Sequence, residues 1–246
     1  NGKNEMSKVE SVATEFVREI NESAGASVHS IVLYGSSLTD DFVEEHSDYN
    51  FLVVLSDTSR TVLDPLSHRA RRWHKQRIST PIVVDPGFLP SAVDSYPIEI
   101  LSMKARYRVL AGQDVLAVLS PEAGDVRLQC ERELRGKLLH LRRGYIDAEG
   151  RADDLLRVLQ RGHASFVALL RGLLYLNGGQ WDHFGESFDR SCTERLGVSY
   201  QMLARVRAQR FAKKPKEAGQ LASDYAELLS AVERLTLEAD HWTSNR

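Results

Sequence analysis

The sequence predicts an α/β (α+β) domain with a mixed sheet, followed by an all-helical bundle. Three observations lead there. Short β-rich apolar runs alternate with helical patterns over the first part of the chain, the strand pattern stops after about Asp114, and everything beyond follows a helical period. The expected division is residues 1–115 and 116–246, and 246 residues suffice for two such domains.

Each element has its own signal. Val9, Val12, Ala13, Phe16, Val17 and Ile20 recur at helical spacing, and Gly25 offers a stop. Val28–Tyr34 and Tyr49–Leu55 are apolar runs closed by Gly35-Ser36 and Ser56-Asp57, so both read as buried strands. Residues 61–77 read as helical with a basic, aromatic face carrying Arg69, Arg71, Arg72, Trp73, His74 and Lys75. Pro81–Val84 is a third strand ended by the turn Asp85-Pro86-Gly87, and Pro97–Met103 is expected as a fourth. Residues 125–147, 151–176, 185–208 and 216–242 supply the helices of the bundle.

The bulk numbers exclude several classes. With 32 basic and 34 acidic residues the chain lacks the basic footprint of a nucleic-acid or acidic-membrane binder. No run approaches the length of a membrane span, and the start NGKNEMSKVE has no apolar core, so neither a span nor a signal peptide is expected and the location is read as cytoplasmic. Cys130 and Cys192 lack CxxC spacing, which argues against a zinc site or a redox pair.

Chemistry concentrates in LYGSSLTDDFVEEHSDYNFLVV. Gly35 permits a backbone conformation closed to other residues, and the serines beside it offer hydroxyls and backbone N–H groups suited to phosphate oxygens. On frequency alone such a turn is more often an ordinary strand-to-helix connection. Asp48 and Asn50, two residues apart, project from one face of the second strand, with Tyr49 and Phe51 on the other. Paired carboxylates at these positions would form a wall of a Mg²⁺ site, and a third acid on a neighbouring strand would complete it. Glu99 is the candidate, because a carboxylate within PIEIL is costly to bury without a partner; a solvent-facing glutamate is the competing reading.

Taken together, LYGSS, SDYNFLVV and PIEILSMKARYRVLAGQD resemble bacterial nucleotidyltransferases of the polymerase-β type over roughly residues 28–110, and the first two segments are also similar to aminoglycoside adenylyltransferases. Both groups place a helical domain after the catalytic one. The resemblance implies that Gly35, Ser36 and Ser37 hold the phosphates of a nucleoside triphosphate and that Asp48 and Glu99 bind Mg²⁺ or Mn²⁺, with Asn50 at the catalytic position of a second acid. It further implies transfer of a nucleoside monophosphate to a hydroxyl of a small-molecule or macromolecular acceptor. Asn50 departs from the pattern: it keeps a carbonyl oxygen but no charge. The alternative is therefore a degenerate relative that binds a nucleotide or a protein partner with weak or no turnover.

Other features carry less. Arg135/His140 and Arg157/His163 resemble the Arg/His spacing of helical ribonuclease-like bundles, but such pairs arise readily by chance in an arginine-rich chain. RELRGKLLHLRR reads as a solvated basic helix face. Asp40, Asp41, Glu44 and Glu45 lie in the connection before Asp48 and read as surface acids, and Trp181, His183 and Phe184 as aromatics packed under a loop. Apolar helical faces could support a homodimer.

Overall fold

Side chains of the two longest apolar runs alternate between two sheet faces, and both faces are covered. The computed structural model describes residues 2–38, 48–178, 185–209 and 218–239. Helix α1 (Gly2–Ala24) leads into β1 (Val28–Tyr34) and, after a short 3-10 turn at Ser36–Leu38, β2 (Asn50–Leu55). Helices α2 (Arg60–Ser67) and α3 (Ala70–Lys75), strand β3 (Ile82–Val84), helices α4 (Phe88–Ser91) and α5 (Pro97–Ala105), and strand β4 (Tyr107–Gly112) follow. The sheet runs β3-β2-β1-β4, with β1 antiparallel to both β2 and β4 and β3 parallel to β2. A mixed sheet is thus observed, as the alternating pattern predicts.

On one face Ile31, Leu33, Phe51, Val53 and Leu55 pack with Phe16 and Ile20 of α1 and Trp73 of α3. Phe16 stacks on Phe51 with ring centroids 3.8 Å apart, and each fully buried side chain of this size contributes about 1.5–3 kcal/mol. The opposite face buries Val32, Leu52 and Val54 against Val84, Leu89, Ile100, Met103, Leu116 and Leu119. Val32, Leu52 and Val54 are the alternate residues of the same two strands, so the register leaves neither face bare.

One buried charge holds α1 to α3. Glu19 is fully buried; Trp73 Nε1 donates to its Oε2 at 2.6 Å, and Arg72 approaches Oε1 at 2.9 Å. Arg69 donates to Ser23 and Glu22, and Arg72 also pairs with Glu15. Three members of the basic face expected over residues 61–77, Arg69, Arg72 and Trp73, therefore grip α1.

Two corrections concern the second half of this sheet. Pro97–Met103 is a helical segment of α5, and the fourth strand is Tyr107–Gly112, which the sequence reading missed. Proline suits the first helical position, and the buried Ile98, Ile100 and Met103 also fit one helix face, so PIEILSM satisfies a helical pattern as well as a strand one. β4 was hidden by its half-buried residues, its Arg108 and its terminal Gly112. Gly112 sits at φ +77°, and a Cβ there would lie 2.0 Å from the His29 carbonyl oxygen, so only glycine fits this end of the β1–β4 pairing.

By internal contacts the chain forms two units, residues 1–93 with 100–120 and residues 94–99 with 121–246. The second contains the helices α6 (Ala123–Ala148), α7 (Ala152–Leu176), α8 (Gly185–Leu196), α9 (Tyr200–Gln209) and α10 (Ala218–Ala239). The single pattern read over 185–208 is two helices, because Gly197 takes φ +58° and ends the first. Tyr225 donates to the Leu141 carbonyl at 2.9 Å, and Arg205 and Gln209 converge on the fully buried Asp224. Cys130 and Cys192 are free and buried, and burial pushes both thiols up, away from reactivity.

Candidate functional site

Four chain segments meet at one edge of the sheet, where β1 ends and β2, β3 and β4 begin. Antiparallel pairing sets Tyr34 of β1 opposite Asn50 of β2 on one side and opposite Tyr107 of β4 on the other. Gly35 turns the chain away at φ +90°; a Cβ there would lie 3.3 Å from Asn50 Nδ2, so glycine serves both the turn and the close approach of residue 50. The Gly35 N–H donates to the Arg106 carbonyl at 2.9 Å, and its own carbonyl accepts from Leu38 at 3.1 Å. Gly35 therefore shapes the turn and has no backbone donor left for a ligand. Ser37 follows with a buried hydroxyl that has no hydrogen-bond partner among the described residues, and Ser36 lies beside it.

Tyr49 and Phe51 belong to the core on the α1 face, as the alternation predicts, which puts Asn50 in step with Leu52 and Val54 on the other face. Asp48 is half exposed just before β2, and Arg77 Nε lies 3.3 Å from its Oδ1. Arg77 was not singled out by the sequence, where it closes a run of basic residues with no distinguishing period. It is held at φ +62°, a conformation uncommon for a residue with a side chain, while its carbonyl accepts from Tyr49 at 2.8 Å. Tyr49 is bridged in parallel to Ile78, so the segment leading into β3 borders Asp48 with Arg77, Ile78, Ser79 and Thr80. Arg106, also exposed, stands before β4 at the same edge. Tyr34 is half-buried, and burial pushes its phenol above the ordinary tyrosine value.

Glu99 is not on a strand next to Asp48. It lies exposed on the first turn of α5, within the second unit, where Gln129 Nε2 donates to it at 2.8 Å. The described residues do not fit a Mg²⁺ or Mn²⁺ ion: Asp48 is the one carboxylate at this edge, a guanidinium already neutralises it, residue 50 is an amide, and no cluster of three metal-ligating side chains exists among the described residues. Asp40, Asp41, Glu44 and Glu45, together with Trp181, His183 and Phe184, lie outside the described residues, as does the side chain of His163.

No described helix is long and apolar enough to cross a membrane. No family model matches the chain, and no curated protein matches its sequence. Among solved structures it is similar to spectinomycin adenyltransferase AAD(9) from Enterococcus faecialis, whose crystal structure holds ATP and spectinomycin, with 12% identity and a TM-score of 0.55 over 95% of this chain and 100% of that one. At that identity the likeness speaks for the fold alone: a mixed-sheet domain with a helical domain after it in the chain.

Proposed function

We propose that this chain binds a nucleoside triphosphate at the Gly35–Ser37 turn and transfers its nucleoside monophosphate to a hydroxyl of a small polar molecule. The observation that carries this reading is the turn itself, a glycine-shaped bend flanked at one sheet edge by the exposed cations Arg77 and Arg106. The fold shared with an adenyltransferase that holds ATP and spectinomycin supports both the nucleotide and the class of acceptor. In the transfer the acceptor oxygen forms a bond to the α-phosphorus, the bond to the bridging oxygen of the β-phosphate breaks, pyrophosphate leaves, and the hydroxyl proton passes to solvent. Ser36 and Ser37 would offer hydroxyl donors to phosphate oxygens, and each guanidinium bond to phosphate is worth about 1.5–3 kcal/mol. No metal-dependent step is assigned to the described residues.

A second reading has its own observation, the replacement of charge at the site's acidic wall by Asn50 and the pairing of Asp48 with Arg77. It gives a protein that holds a nucleotide without turnover. Calorimetric titration with ATP, with and without Mn²⁺, comes first; equal affinity in wild type and the Ser36→Ala, Arg77→Gln double variant would remove the turn from both readings. Pyrophosphate release in the presence of ATP and a panel of polyols including spectinomycin then separates them. Binding with no release, and release gained by Asn50→Asp in Mn²⁺, selects the second.

A further inference from the structure

Within the helical unit many arginines are neutralised, while Arg132, Arg143, Arg161 and Arg190 have no ion pair among the described residues. Arg127 and Arg135 pair with Glu131, Arg142 with Glu233, Arg151 and Arg157 with Asp154, Arg205 with Asp224 and Glu227, Arg207 with Asp189, and Arg234 with Glu238. The groove between α6 and α7 brings two of the unpaired arginines, Arg143 and Arg161, onto one volume. It encloses about 500 Å³ and is lined by Lys137, His140, Arg143 and Asp147 from α6 and by Arg161 and Ser165 from α7. Spacings of three, four and seven put these residues on the facing sides of the two helices. Neither His140, Arg143 nor Arg161 has a hydrogen bond or ion pair among the described residues, so the groove holds two unpaired guanidiniums, with Asp147 the one carboxylate among its described lining residues.

Close helix packing creates the concavity. Gly144 has no Cβ, and one placed there would lie 2.8 Å from Val158 Cγ2, so the two helices touch at this point and their long basic side chains are gathered into one groove. Lys137 is half-buried, its Nζ donates to Ser165 Oγ at 2.6 Å, and burial lowers its ammonium while the neighbouring Glu133 opposes that shift. A solvated face would leave these charges spread along the helix exterior; here they converge on one volume. The two convergent, unpaired guanidiniums of Arg143 and Arg161 raise the local concentration of counter-ions and are relieved by an anion.

We propose that this groove binds a compact polyanion of metabolite size, carrying phosphate or carboxylate groups, at a site independent of the Gly35–Ser37 turn. Lys137 and Ser165 form one end of it, Arg143 and Arg161 close on the charged groups from opposite helices, and His140 adds a donor. Asp147 at the rim limits how much negative charge the site takes.

The test titrates inorganic phosphate, citrate and a short single-stranded RNA into the full chain by calorimetry, with circular dichroism to verify folding. Compared are wild type, the groove variant Arg143→Gln, Arg161→Gln, and a control of equal charge loss, Arg132→Gln, Arg190→Gln, made at two exposed arginines outside the groove. Saturable binding of phosphate or citrate that falls by about tenfold or more in the groove variant and holds in the control supports the site. Phosphate binding without citrate, or the reverse, names the source of the anion. Absence of saturable binding of either, or equal loss in both variants, overturns it. RNA binding that depends on the groove while neither small anion binds also overturns it, in favour of a nucleic-acid surface. Lys137→Met provides a second variant if the arginine pair does not fold. An unchanged response to ATP at the turn in the groove variant keeps this result separate from the proposed function.

Discussion

Glu19 and Asp48 are both carboxylates of the sheet unit that meet arginine, yet they are placed in opposite ways. Glu19 is fully buried and gripped by Trp73 and Arg72 of α3; Asp48 is half exposed and met by Arg77 alone. A buried carboxylate with fixed partners is part of the scaffold, because removing it strands the partners. A half-exposed one with a single cation costs little to unpair, and its partner can turn to a ligand. Charges of the same kind are thus divided by burial into those that keep the fold and those free to serve a site.

The largest expected effect would break the first side of that comparison. Glu19→Leu leaves the buried Trp73 N–H without an acceptor and Arg72 facing apolar surface, so stability in urea should fall by about 3 kcal/mol, toward the lower end for a broken buried pair because Arg72 is half exposed and can rehydrate. A loss under 1 kcal/mol, on the order of a surface pair, would make Glu19 no different from Asp48.

Gly35→Ala comes next. Its φ of +90° should cost about 1–3 kcal/mol by denaturant unfolding, and the added methyl would press on Asn50. ATP binding should be lost even where the variant remains folded, and retention of full affinity would move the nucleotide away from this turn.

Arg77→Gly sharpens the second side. Glycine removes a left-handed strain of about 1–2 kcal/mol and forfeits an exposed ion pair worth about 0–1 kcal/mol, so stability should hold or rise slightly. Affinity for ATP should fall by about tenfold, one charge-assisted contact. A variant that is less stable and binds normally would give Arg77 the structural part that Glu19 plays.

The smallest effect concerns Tyr34, the last residue of β1 before the Gly35 turn. Its folded pKa is raised by burial above the ordinary value of 10.0, so the folded state holds the proton longer than the unfolded one. The stability this contributes is fully present below about pH 10 and is lost as pH rises through the folded pKa. Tyr34→Phe should flatten the decline in melting temperature between about pH 9.5 and 11, and identical slopes would mean the phenol is not shielded.

The sequence foretold the sheet better than the site. Val28–Tyr34 and Tyr49–Leu55 were legible because apolar strand pairs with both faces buried leave continuous β-rich runs. PIEILSM was misread because β-branched content outweighed the proline that starts a helix, and with it Glu99 moved from a strand to an exposed helical turn. The pairing of Arg77 with Asp48 depends on a parallel bridge between residues far apart in the chain, and no local period announces such a bridge. Glu19 could have been found: a carboxylate three residues after Phe16, on the apolar side of α1, asks for a buried partner.

Gly112 has a consequence for how the sheet assembles. With the His29 carbonyl lying where a side chain would begin, sliding β4 by one residue along β1 would drive Ala111 or Gln113 into that oxygen. Misaligned pairings are thereby discouraged during the conformational search, and the native alignment is favoured by exclusion of its neighbours as much as by its own contacts. A missing methyl group acts here as a proofreading step for the end of the β1–β4 pair that lies across a register shift from the turn at Gly35.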